Sequence, residues 1–111
     1  MNSLFNIYSR FKSGKYNLSD LYSRVIFWDV KMEDLSINRD KDFIIQRVLS
    51  RHMNKIENLE NLEKLYSKNS IKSYAKNSSE IFGNENIEFV ASRYRLNPRG
   101  FKKYLPNIKH A

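Results

Sequence analysis

Apolar side chains recur at helical spacing along most of this chain, and little interrupts them, since its 111 residues hold only three Gly and two Pro. Strict alternation of apolar and polar residues is nearly absent, which disfavours a turn-dense all-β fold. The clearest stretch opens at Asn38 or Asp40. It places Asp40 and Asp42 in a first turn and Arg51 and His52 in a last one, the polarity that the helix dipole favours. Its Phe43, Ile44, Ile45, Val48 and Leu49 cover more than half of the circumference, so this segment is expected to be the central buried helix.

Other helices are expected around it. Leu4, Ile7, Tyr8 and Phe11 form a short amphipathic stripe behind Ser3, giving residues 1–18 an N-terminal arm or short helix. Ser19 or Asp20 can cap a segment carrying Leu21, Tyr22, Val25, Ile26, Phe27 and Trp28, although the run from Val25 to Trp28 leaves a short strand as the competitor. Residues 56–67 place Ile56, Leu59, Leu62, Leu65 and Tyr66 inward. Asn69 or Ser70 then caps a helix through Ile71, Tyr74, Ala75 and Ile81, which Gly83 ends and after which Asn84 caps the next. No Pro-, Gly- or Ser-rich linker divides the chain, and its length suits one core. The expected architecture is all-α: a compact five-to-six-helix domain over residues 19–111.

Charge narrows the function. Lys and Arg number 20 against 12 Asp and Glu, for a net +8. Residues 1–30 carry +2, residues 31–65 carry zero, and residues 66–111 carry nine positive and three negative groups, for +6. A basic half points to a polyanion or an acidic partner, against the alternative of a solubilising surface rich in Lys and in the chain's 13 Asn. There is no Cys, so a disulfide framework, a Cys-ligated zinc and a thiol nucleophile are excluded. His52 and His110 lie far apart, without metal-ligand spacing or a triad-like context. The glycines, Gly14, Gly83 and Gly100, form no phosphate loop. Asp29, Glu33 and Asp34 make one small acidic group, and Asp40 and Asp42 another that helix-start preference explains. No catalytic residue, metal or cofactor is expected. No apolar run approaches ~20 residues and the N-terminus lacks a secretory apolar region, so a cytoplasmic location without membrane contact is expected.

The last third carries the most pointed pattern. Ile87, Val90, Ala91 and Tyr94 fall on one helical face, Leu96 comes next in a turn, Asn97 is a good N-cap, and Pro98 suits a first helical position. Phe101, Tyr104 and Leu105 supply a second apolar face before Pro106. Residues 85–105 thus resemble a helix-turn-helix, with Ala91 as the small residue at the crossing, Leu96 as the buried aliphatic after the turn and Phe101 as the core residue of the second helix. The resemblance implies a nucleic-acid contact set of Arg93, Arg95, Asn97, Arg99, Lys102 and Lys103, with Pro98 also facing the groove. The turn position that is usually Gly is Arg95 here, and a left-handed non-Gly residue costs roughly 1–2 kcal/mol. The plainer reading is a helical hairpin that closes the core with a solvated basic face.

A second resemblance spans residues 27–101. Phe27-Trp28-Asp29-Val30, Leu35-Ser36, the helix from Phe43 to Leu49 (FIIQRVL), Leu65-Tyr66, Ile71, and Arg93, Leu96, Pro98 and Arg99 occur in the order seen in a family of short bacterial domains of unknown function. Its members are often encoded beside nucleotidyltransferase-type toxins, which implies an antitoxin-like or regulatory role. That family usually has Gly soon after the helix, where Met53-Asn54 stand here; Asn can also take a left-handed cap. Phe27 and Trp28 are expected in the core, and Asp29 is expected either to cap the next turn or to pair with Arg47. Together these readings predict a small basic DNA-binding regulator of a toxin-antitoxin or defence operon, bound to its operator, where a homodimer would suit paired half-sites. The alternative is a protein-interaction module that neutralises a partner toxin without touching DNA.

Overall fold

A computed structural model describes residues 17–76 and 78–106. The expected stripe over residues 4–11, the arm it was to form, and Lys109 and His110 lie outside the described residues. Among the described residues five α-helices succeed one another: α1 (Leu18–Leu21), α2 (Lys41–Ser50), α3 (Lys55–Leu65), α4 (Lys68–Lys76) and α5 (Asn84–Tyr94). Two 3-10 turns, Met32–Asp34 and Pro98–Gly100, complete the order, and the described residues include no strand. None of these helices is long and apolar enough to cross a membrane. The all-α class expected from the spacing is the class observed.

Helix α2 is the centre of the fold. Its Ile44, Ile45, Val48 and Leu49 have no solvent exposure, and it packs against both α3 and α4. Asp40 precedes it and closes the entering turn by accepting the Ser36 N–H at 2.8 Å. Beyond its C-terminus Asn54 takes the left-handed conformation (φ 49°) in which the chain reverses into α3, the role its position suggested. Three buried tyrosines then cross-link elements: Tyr22 donates to the Asn58 carbonyl at 3.1 Å, Tyr66 to the Ile37 carbonyl at 2.7 Å, and Tyr94 to Glu63 at 2.7 Å. Burial pushes all three hydroxyls well above the ordinary tyrosine range, so they stay donors.

Three expectations are corrected. Residues 22–30 form neither a helix nor a strand but successive tight turns, with Ile26, Phe27 and Val30 each donating to the carbonyl three residues back at 3.1 Å. This winding turns Ile26 and Phe27 inward and leaves Val25 60% and Trp28 74% exposed, so Trp28 is not a core residue. Ile56 is also outside, at 57%, because the first turn of α3 presents Asn58 inward, where its Nδ2 donates to the Met53 carbonyl at 3.0 Å.

The third correction concerns the second helix of the expected pair. Helix α5 ends with Arg95 left-handed (φ 57°, ψ 51°) and with the Leu96 N–H bonded to the Ala91 carbonyl at 2.8 Å, a six-to-one closure that seats Leu96 against the core. Asn97 does act as a cap, its Oδ1 accepting the Arg99 N–H at 3.0 Å, and Pro98 is at the first position. Yet only a three-residue 3-10 turn forms. Gly100 disfavours continuation by about 1 kcal/mol relative to Ala, and so short a segment is a marginal helix in any case. A competing bond also exists: the Asn84 carboxamide takes both the N–H and the C=O of Leu105, each at 2.9 Å. Phe101 is buried as expected, but the chain beyond it makes one tight turn, the Tyr104 N–H bonding to the Phe101 carbonyl at 3.1 Å, and continues as a strap tied back to the start of α5.

Candidate nucleic-acid interface and an adjoining aromatic cleft

The strap is held at several points. Beside the paired bonds to Asn84, the Tyr104 hydroxyl donates to Glu88 at 2.8 Å, and Phe101 anchors the turn in the core. From Phe89 to the last residue the sequence has six Lys or Arg and no Asp or Glu. Arg95, Arg99, Lys102 and Lys103 are all exposed, and none makes an ion pair or side-chain hydrogen bond with another described residue. These four positions of the expected contact set are therefore available to a ligand.

The other two are not equivalent to them. Arg93 is a structural cation: its Nε and Nη2 donate to the two carboxylate oxygens of Glu63 at 2.8 and 2.9 Å, tying α5 to α3. The hydrogen bonds from Arg93 hold the Glu63 carboxyl below the ordinary range despite its partial burial, with the Tyr94 hydroxyl adding to the effect. Asn97 engages its side-chain oxygen in its own turn. A set expected to project from a two-helix wedge is thus four exposed cations spread over the C-cap of α5, the 3-10 turn and the anchored strap, one of which, Lys103, also lines a cleft.

That cleft belongs to a feature the sequence did not reveal. Two adjoining depressions of about 570 and about 480 Å³ lie across the C-terminal end of α2 and share Ser50, Arg51 and Phe82. Trp28 and Phe43 line the first, with Lys103; Val25 and Met53 line the second. Below Trp28, the Arg47 guanidinium grips Asp29 through two bonds of 2.7 and 2.9 Å, donates to the Ile26 carbonyl at 3.1 Å and stacks 4.8 Å from the Phe43 ring centre. Hydrogen bonding from Arg47 lowers the Asp29 carboxyl, so of the two roles open to Asp29 the pairing is the one observed. His52 stacks on Phe82 with centroids 5.1 Å apart, next to Gly83, whose φ of 85° favours glycine. Lys55 lies half-buried behind this end of α2, with its Nζ donating to the carbonyls of Leu49 at 2.6 Å and Arg51 at 2.8 Å; desolvation pushes its pKa down to about 7.

Arg51 sits where the depressions meet. Its Nη2 donates to the Ile26 carbonyl at 3.3 Å, and its Nε is buried with no acceptor among the described residues. No curated protein and no solved structure matches the chain. Its residues 22–75, which include the turn carrying Trp28, helix α2 and Arg51, match the model of a family described as a family of unknown function (DUF6922).

Proposed function

We propose that this chain is a small antitoxin-like regulator, without catalytic activity of its own, that grips a nucleic-acid backbone through Arg95, Arg99, Lys102 and Lys103. The observation that carries this reading is the segment from the end of α5 through the anchored strap, on which four exposed cations make no ion pair or side-chain hydrogen bond among the described residues and no carboxylate is interspersed. Because a 3-10 turn replaces the expected recognition helix, the contacts are to phosphates, which position a protein on DNA; base edges contribute less. Operator selectivity would then come from DNA shape or from a second subunit.

Fluorescence anisotropy with a duplex from the promoter preceding the gene tests this. Affinity should fall linearly on a log–log plot against salt, by about 0.9 for each phosphate neutralised. Lys102→Ala with Lys103→Ala should flatten the slope by up to ~2 units, whereas Arg93→Ala, on an internal cation, should leave it unchanged. Absent binding, or an affinity that does not move between about 50 and about 300 mM salt, defeats the reading.

A further inference from the structure

Eight large apolar side chains among the described residues are exposed, and five of them (Val25, Trp28, Phe43, Met53 and Phe82) line the two adjoining depressions. Such a concentration on a small protein is characteristic of a protein contact surface, and Trp and Arg are the side chains most often found at the energetic centre of one. Arg51 lies between the two apolar groups, and its one described hydrogen bond, 3.3 Å to the Ile26 carbonyl, is at the long end of the N–H···O range. A guanidinium has five N–H donors, and one of those here, on Nε, is buried without an acceptor among the described residues. Nearby carboxylates are otherwise hydrogen-bonded: Asp29 is clamped by Arg47 and feels Arg51 only as a further charge, and Asp42 accepts from the Gln46 amide at 3.3 Å. Glu57 and Glu80, which also line the depressions, are exposed.

We propose that this double cleft is a docking site for a segment of a partner protein in which an acidic side chain lies between two large apolar ones, the carboxylate meeting Arg51 and the apolar groups entering the depressions on either side. A carboxylate meets the outer edge of the Arg51 guanidinium, which among the described residues holds only the long bond to Ile26, in the paired geometry that guanidinium favours. Apolar side chains on both flanks bury against Trp28 and Phe43 on one side and Val25 and Met53 on the other, with Phe82 shared. This site is independent of the phosphate contacts on the strap, apart from Lys103 at its edge.

Trp28 is the only tryptophan of the chain and is largely exposed, so its fluorescence reports occupancy directly. Selection of a random-peptide display library on the full chain should enrich peptides with Asp or Glu flanked by large apolar residues. A synthetic copy of such a peptide should shift Trp28 emission to the blue, and its counterpart with the acid replaced by the amide should bind about tenfold more weakly or worse. Trp28→Ser, at a solvent-facing position, should weaken binding with an unchanged thermal melt; Arg51→Lys, which keeps the charge but not the fork, should weaken it as well. No enrichment over a bare surface, enriched peptides without an acid, or equal binding of the amide counterpart would overturn the proposal. So would sedimentation of the chain as a dimer that Trp28→Ser dissolves, which would assign the cleft to a second copy.

Discussion

Replacing Arg93 with Ala separates a structural cation from those of the strap. In the native chain Glu63 accepts two charge-assisted bonds from Arg93 and one from the Tyr94 hydroxyl, and the two charged side chains are only 25% (Arg93) and 14% (Glu63) exposed. Removing one member of a fully buried pair costs about 3–5 kcal/mol, and losing an exposed pair costs about 0–1 kcal/mol. With most of both side chains covered, about 2 kcal/mol is expected for Arg93→Ala, which for a domain of this size lowers Tm by about 10 °C. The pH dependence has a definite sign. Arg93 depresses the folded Glu63 pKa, so the pair's contribution is fully present above the unfolded value of about 4.3 and is lost as pH falls below it. The variant should therefore be less stable at neutral pH and lose less on acidification than the native chain. Thermal melts of the native chain, Arg93→Ala, Glu63→Gln and the double variant, each at neutral pH and near pH ~3, supply both tests. Energies that simply add in the cycle, or a loss below about 0.5 kcal/mol for Arg93→Ala, would refute the interaction.

Three further substitutions probe the backbone and the end of α2. Arg95→Gly removes a side chain from a left-handed residue, and after the entropy that glycine costs it should stabilise by about 0.5–1 kcal/mol, seen as a higher denaturant midpoint with an unchanged slope. Gly83→Ala should destabilise by about 1–3 kcal/mol in the same assay, because φ is 85° and an added Cβ would come within 3.1 Å of the His52 ring; the ring can swing away but the backbone strain stays. Burial holds the folded Lys55 pKa near about 7, below the unfolded value of about 10.4, so the unfolded chain binds more protons in between and stability should rise from pH 7 to about 9. Lys55→Met should abolish that rise and, by leaving the Arg51 carbonyl without its donor, cost about 1–2 kcal/mol in thermal melts.

Where helical spacing was dense, the chain's structure was legible. The stripe of Ile44, Ile45, Val48 and Leu49 admits one buried face, and α2 sits at the centre accordingly. Asn54 and Arg95 stand where the families that the chain resembles usually have Gly, and both have positive φ. The misreadings fall where the local pattern is ambiguous. Val25-Ile26-Phe27-Trp28 is apolar throughout, so no period within it says which members face inward; the turn hydrogen bonds decide, and they expel Val25 and Trp28. Residues 98–105 had a cap, a proline and an apolar face suited to a helix, but the carboxamide of Asn84, some twenty positions earlier, captures the backbone of Leu105.

The site divides along the same line between local and distant information. Exposure of Arg99, Lys102 and Lys103 comes from composition, because a region without carboxylates offers its cations no partner close in sequence. Arg93 looked identical to them by residue type, yet its place on the helix differs. It succeeds Asn86 and Val90 along one ridge of α5, both of them buried, and so borders the inward face. Glu63 stands likewise between Leu59 on α3 and Tyr66 at its C-cap, both buried. A cation and an acid that each border a buried stripe are candidates for one another wherever those two stripes meet, and this signal separates Arg93 from the strap where bare charge does not. No comparable signal exists for the cleft: Trp28, Arg51 and Phe82 lie on separate segments, and only the packing of the turn before α2 and the loop before α5 against one helix end brings them together.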